Sequence, residues 1–154
     1  CPQPAASAEA EICWSLNLPW NVMIGEGLLR YGYRSEAVEL LTRIMNAIIL
    51  SLRKDHAFRR GYHTETGRGM GEYNALSGLA PLKFFLDVLG VRLISPKRVW
   101  LTGFNPFPWP VTVKYRGMTI LRQADKTVVI FPDSQTVTIT DPEPRLVSLE
   151  VQEP

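Results

Sequence analysis

Residues 19–37 read P-W-N-V-M-I-G-E-G-L-L-R-Y-G-Y-R-S-E-A, and this stretch decides how the first half of the chain is organised. Val22, Met23, Leu28 and Leu29 fall at helical spacing, so a helix is predicted from about Trp20 to Tyr31, with Gly32 placed to end it. Gly25 and Gly27 each weaken such a helix by roughly 1 kcal/mol relative to alanine, which implies that another element packs closely against its backbone. Ser35 then suits the N-cap of a second helix, with Glu36 and Glu39 near its positive end and Arg53 and Lys54 at its negative end. From Ser35 to Asp55 that helix is about 31 Å long. Its apolar positions are Val38, Leu41, Ile44, Met45, Ile48, Ile49 and Leu52, and the few residues around Tyr33 make the two helices an antiparallel hairpin.

Beyond the hairpin lies a Gly-rich loop, Y-H-T-E-T-G-R-G-M-G-E-Y, from Tyr62 to Tyr73. A third helix is predicted from near Asn74 to Gly90, carrying Leu76, Leu79, Leu82, Phe85, Leu86 and Leu89. Three helices with broad apolar faces are more than one short helical segment can cover, so they read as part of a larger helical array. Eight of the twelve prolines lie beyond Gly90, and after Val91 the apolar pattern shifts to period two. Strands are predicted at Val111 to Tyr115, around Thr119 to Arg122 after a turn at Gly117, at Thr127 to Phe131, at Gln135 to Thr140 and at Leu146 to Val151. An antiparallel meander is the simplest arrangement of them. Proline at every second position of N-P-F-P-W-P, from Asn105 to Pro110, makes that segment an extended connector, with Phe104, Phe107 and Trp109 covering the seam between sheet and helices. The fold class expected is α+β, a helical part over residues 1–94 followed by a small antiparallel β-domain over residues 95–154.

With 154 residues, 45% of them hydrophobic, the chain has enough apolar surface for a sizeable core. Its formal charge is +2 and cationic and anionic residues are intermixed, so no nucleic-acid footprint is visible. The longest apolar run, Ile44 to Leu52, is far short of the ~20 residues that span a bilayer. The chain begins at Cys1 and so reads as processed, engineered or a fragment of something longer. Cys1 and Cys13 are the only cysteines, too few for a disulfide framework or a four-ligand zinc site.

Chemistry concentrates in residues 59–74, where His63, Glu65, Glu72 and Asn74 accompany Tyr62 and Tyr73 in a stretch with Gly67, Gly69 and Gly71. This suits a sugar-binding or acid/base loop, and equally an exposed linker between helices. G-R-G-M-G lacks a preceding strand and the spacing of a nucleotide fingerprint. No metal site is expected, because His56 and His63 are the only histidines and no ligand spacing accompanies them. No cofactor is called for. Glu26 sits in an otherwise apolar helix close to Trp14, Trp20 and Asn21, so it must be paired, for instance with Arg30 at i+4, or line a polar cavity, or be exposed.

The run from Pro19 to Ala37, followed downstream by Y-H-T-E-T-G-R-G-M-G, resembles the closing helices of six-hairpin (α/α) toroid glycosidases, the broad group that holds glycoside hydrolase family 63, the glucoamylases and the mannosylglycerate-hydrolase-like proteins. The likeness covers roughly Trp14 to Gly90, and the tail after Ser95 is similar to the small C-terminal β-domain that some members carry. The resemblance implies hydrolysis of glycosidic bonds by inversion, with an acid and a base carboxyl ~6.5–9.5 Å apart. It places the acid in an earlier hairpin outside this chain. It places the base two positions before the loop tyrosine, where this sequence has Arg60 before Tyr62, and a guanidinium stays protonated. Glu72 or Glu26 then becomes the candidate catalytic carboxylate, or the role is lost. Trp14, Trp20, Asn21, Tyr62, His63 and Asn74 become the candidate sugar-binding residues.

Three helices cannot close a six-hairpin toroid, so the resemblance is to the C-terminal portion of such an enzyme, inactive alone. Its partners would be a carbohydrate and the remainder of the barrel or another subunit. The alternative is a non-catalytic carbohydrate-binding or subunit-interaction module.

Overall fold

A computed structural model of the chain describes residues 15–149. The architecture is α+β, with three α-helices and three small antiparallel sheets, and no toroid is formed by these residues. The described residues contain no helix long and apolar enough to cross a membrane. The chain divides into two compact units between Phe84 and Phe85.

In the first unit, β1 (Ser15–Leu16) leads into α1 (Leu18–Arg30). Asn17 caps α1: its side-chain oxygen accepts the Trp20 backbone N–H at 3.3 Å, and Pro19 occupies the first turn, where a missing N–H costs nothing. The helix closes in a Schellman motif. Gly32 adopts φ +84°, and the N–H groups of Gly32 and Tyr33 reach the carbonyls of Leu29 and Leu28. Then α2 runs from Arg34 to Asp55 and ends on His56 in the left-handed region, φ 52°. Ser35 does not cap it. The cap position is Tyr33, with no side-chain cap, and the Ser35 hydroxyl bonds the neighbouring Glu36 carboxylate instead.

Of the predicted apolar face of α2, Leu41, Ile44 and Ile48 are buried and Val38, Met45 and Leu52 are half-buried. Ala37, Leu41, Ile44, Ala47, Ile48 and Ser51 are buried, whereas Ile49 is exposed. Small residues hold that face because the backbone of the next hairpin comes close, and Ser51 donates to the Ala57 carbonyl at 3.0 Å.

That hairpin replaces the expected loop: β2 (Arg59–His63) pairs with β3 (Gly69–Tyr73), and β1 adds to β2 with Leu16 opposite Tyr62. Tyr62 is completely buried among Leu18, Ile44, Ala47 and Ile48. Its hydroxyl donates to the Gly78 carbonyl at 3.0 Å.

The long third helix predicted from Asn74 is broken. Asn74 has φ +54°, Leu76–Gly78 is a single 3₁₀ turn, Leu79 is extended, and only after Pro81 does α3 (Leu82–Leu89) begin. Proline disfavours a helical residue before it, and at Gly78 a Cβ would sit 1.7 Å from the Arg59 carbonyl oxygen, so the chain must cross β2 here. Leu76 and Leu82 are left exposed.

In the second unit, β4 (Val91–Ser95) and β5 (Arg98–Leu101) form a hairpin that the sequence reading did not resolve into strands. β6 (Val111–Tyr115), β7 (Met118–Arg122), β8 (Thr127–Ile130) and β9 (Thr136–Ile139) make the expected meander. The β6–β7 turn has positive φ at Arg116 and Gly117, the type I′ geometry that matches strand twist. The last strand, β10 (Arg145–Ser148), leaves the meander and pairs with β5. The Pro-rich segment forms no strand. Asn105 pins it, its amide donating to the carbonyls of Trp109 and Arg122 and accepting from Phe107, and Phe107 stacks at 5.6 Å on both Phe85 and Trp109.

Candidate functional site

A groove of about 620 Å³ runs along α2 and the turn between β2 and β3 in the first unit. Its polar lining comes from three separate segments: Asn21 on α1, Arg43 and Asn46 on α2, and His63, Glu65 and Thr66 on the turn. Its apolar wall is Leu16, Leu40, Ile44, Leu50 and Tyr62.

Several of these polar groups are held by neighbours, Arg43 by an ion pair with Glu39 at 2.5 Å one turn earlier on α2. Asn21 lies in the first turn of α1 and its amide donates to the Asn17 carbonyl at 2.8 Å. His63 ends β2 and organises the turn: Nδ1 accepts the N–H groups of Glu65 at 3.2 Å and Thr66 at 3.3 Å, while the Gly67 N–H returns to the His63 carbonyl at 2.9 Å. With Nδ1 an acceptor, the ring keeps its other nitrogen as the hydrogen-bearing one. Glu65 and Thr66 are thereby held at an exposed turn beside the α2 face that carries Arg43 and Asn46.

Of the residues proposed from sequence, the structure brings together Asn21, Tyr62 and His63. Tyr62 contributes its buried body and not its hydroxyl, which is spent on Gly78; burial pushes that phenol above its ordinary value. The other candidates lie outside the groove. Trp20 is 64% exposed on α1. Asn74 is exposed and bonds through its backbone to the Phe58 carbonyl. Glu72 is exposed on β3, and Glu26 pairs with Lys83 at 2.8 Å. Trp14 lies outside the described residues. Glu65, named in the sequence only as part of the loop, is the carboxylate that lines the groove. Arg43 and Asn46 were missed because on a helix they read as ordinary solvated positions.

The groove offers amide, imidazole, carboxylate and guanidinium groups beside an apolar wall, which suits a polyhydroxylated ligand with apolar faces. The described residues hold no cluster of three or more His, Cys, Asp or Glu able to bind a metal ion. Comparison with protein-family models, with curated proteins and with solved structures finds no match.

Proposed function

We propose that this chain is the C-terminal portion of a larger carbohydrate-cleaving hydrolase, contributing a sugar-binding groove and a packing face and inactive by itself. The observation that carries this reading is the apolar stripe on α1. Trp20, Met23 and Ile24 on α1 and Tyr31 at its C-cap recur at helical spacing and are 57–80% exposed, and the helix also packs next to the Leu76–Gly78 turn. A stripe of this kind marks a surface that meets another protein surface. The remaining hairpins of an (α/α) barrel would cover it.

Within that reading Asn21, Asn46 and Glu65 bond sugar hydroxyls, and the His63 ring and the apolar wall face the sugar ring. Inversion needs two carboxyls, and Glu65 is the one carboxylate among the groove's described lining residues, so a second has to be supplied from beyond that lining. The same lone carboxylate favours the second reading, a carbohydrate-binding module without catalysis.

The test is calorimetric titration of the chain with a panel of oligosaccharides, together with the intact mass and hydrolytic activity of the native gene product. Saturable binding weakened by Asn21→Ala and Glu65→Gln, in a longer and hydrolytic product, supports the enzyme reading. Binding without hydrolysis in any native form supports the module. Neither binding nor hydrolysis refutes both.

A further inference from the structure

A second cavity of the first unit, independent of the sugar reading, lies between the C-terminal end of α2 and the β2–β3 hairpin. It holds about 210 Å³, and its lining includes Lys54, Asp55, Arg59, Arg68, Gly69 and Tyr73. That is well above the ~10–15 Å³ of such space that one water needs. A phosphate ion fits with part of its shell.

The charge in this cavity is unbalanced. Three cations, Lys54, Arg59 and Arg68, meet one anion, Asp55. Asp55 forms an ion pair with Arg59 at 3.9 Å, too long for a hydrogen bond, so it offsets one of the three positive charges and leaves the guanidinium donors uncommitted to it. The Arg59 side chain is 13% exposed, and its Nε is buried without a hydrogen-bond partner. Its guanidinium is held in place by stacking, the central carbon lying 3.6 Å from the Tyr73 ring centroid. A guanidinium that is fixed, mostly buried and short of acceptors is a prepared half of an oxyanion site, since its planar donor fork matches two oxygens of one anion. Lys54 at the end of α2 and Arg68 at the start of the returning strand supply two more positive charges on flexible stems.

We propose that this cavity binds a phosphate group, with Arg59 as the oriented donor and Lys54 and Arg68 as the closing cations. Phosphate suits it better than a carboxylate, because its charge of about −1.5 to −2 near neutral pH meets three cations against one anion.

The experiment is calorimetric titration of the whole chain with sodium phosphate at constant ionic strength, repeated with glycerol phosphate. The expected dissociation constant is about 1 mM or below. Arg68→Gln and Lys54→Gln, both at exposed positions that leave folding intact, should each weaken it several-fold, and Arg59→Met at least tenfold. Arg53→Gln, an exposed cation of the same helix outside the cavity, should leave it unchanged. Tighter binding of the ester assigns an organic phosphate, equal binding the free ion, and either upholds the site. Absence of saturable binding overturns the proposal, and so does an equal loss from Arg53→Gln and Arg68→Gln, which would mean diffuse charge attraction.

Discussion

The edge of the Phe84 ring lies against the backbone of Gly25, so close that a Cβ at Gly25 would fall 2.1 Å from the ring's Cζ. Gly27, two residues on in the same helix, has open space at that position. The two glycines of α1 therefore answer differently to the same substitution. Gly25→Ala should destabilise by about 1–3 kcal/mol through overpacking, while Gly27→Ala should stabilise by up to about 1 kcal/mol through helix propensity. Urea midpoints of the two variants check this, and two values of the same sign would refute it.

Tyr62 couples the hairpin to the 3₁₀ turn through its bond to the Gly78 carbonyl. Tyr62→Phe leaves that buried carbonyl without its donor and should cost about 1–2 kcal/mol. Because burial raises the folded-state pKa of this phenol, its stabilising effect is complete below the ordinary tyrosine value of 10.0 and is lost as pH rises through the higher folded value. The wild-type chain should therefore show a steeper alkaline loss of stability than Tyr62→Phe, measured by urea melts on either side of that value.

Arg122 is 1% exposed and its guanidinium donates to Thr127 Oγ1 and to the carbonyls of Leu89, Thr102 and Gly103, at 2.7–2.9 Å. The Leu89 carbonyl ends α3, where the helix dipole favours a cation. Arg122→Met strands three carbonyls and should cost roughly 3 kcal/mol or more. Arg122→Lys should not restore stability, since an ammonium cannot reach the hydroxyl and the carbonyls with one planar fork. Chemical denaturation of both variants decides it.

Met23 and Ile24 belong to the exposed stripe of α1. Replacing both by glutamine should change folding stability by less than about 0.5 kcal/mol each while reducing self-association of the isolated chain. Sedimentation velocity over a concentration series reads this directly, and unchanged association would show that the stripe is not the sticky surface.

Glu65 lines the groove and Glu72 does not. In a sugar titration Glu65→Gln should weaken binding and Glu72→Gln should leave it within twofold. The reverse order would remove the groove from the candidate site.

What the sequence alone determined is what has a local period or a local stop. The two long helices begin and end within two residues of where their apolar spacing and Gly32 put them, and β6 spans Val111–Tyr115 as the alternation and the Gly117 turn require. Tertiary structure decided what depends on distant partners. Residues 59–73 show no clean alternation, and they become strands because Leu16, far upstream, pairs with Tyr62 and α2 covers their face. β10 joins β5 and not the meander for the same reason: register with a remote strand is not written in either strand's own period. The site followed suit. Asn21, His63 and Glu65 stand out as candidates in their own segments while Arg43 and Asn46 do not, and only the packing of hairpin against helix gathers them into one groove, because side-chain convergence is a property of the assembled surfaces and not of any single stretch of chain.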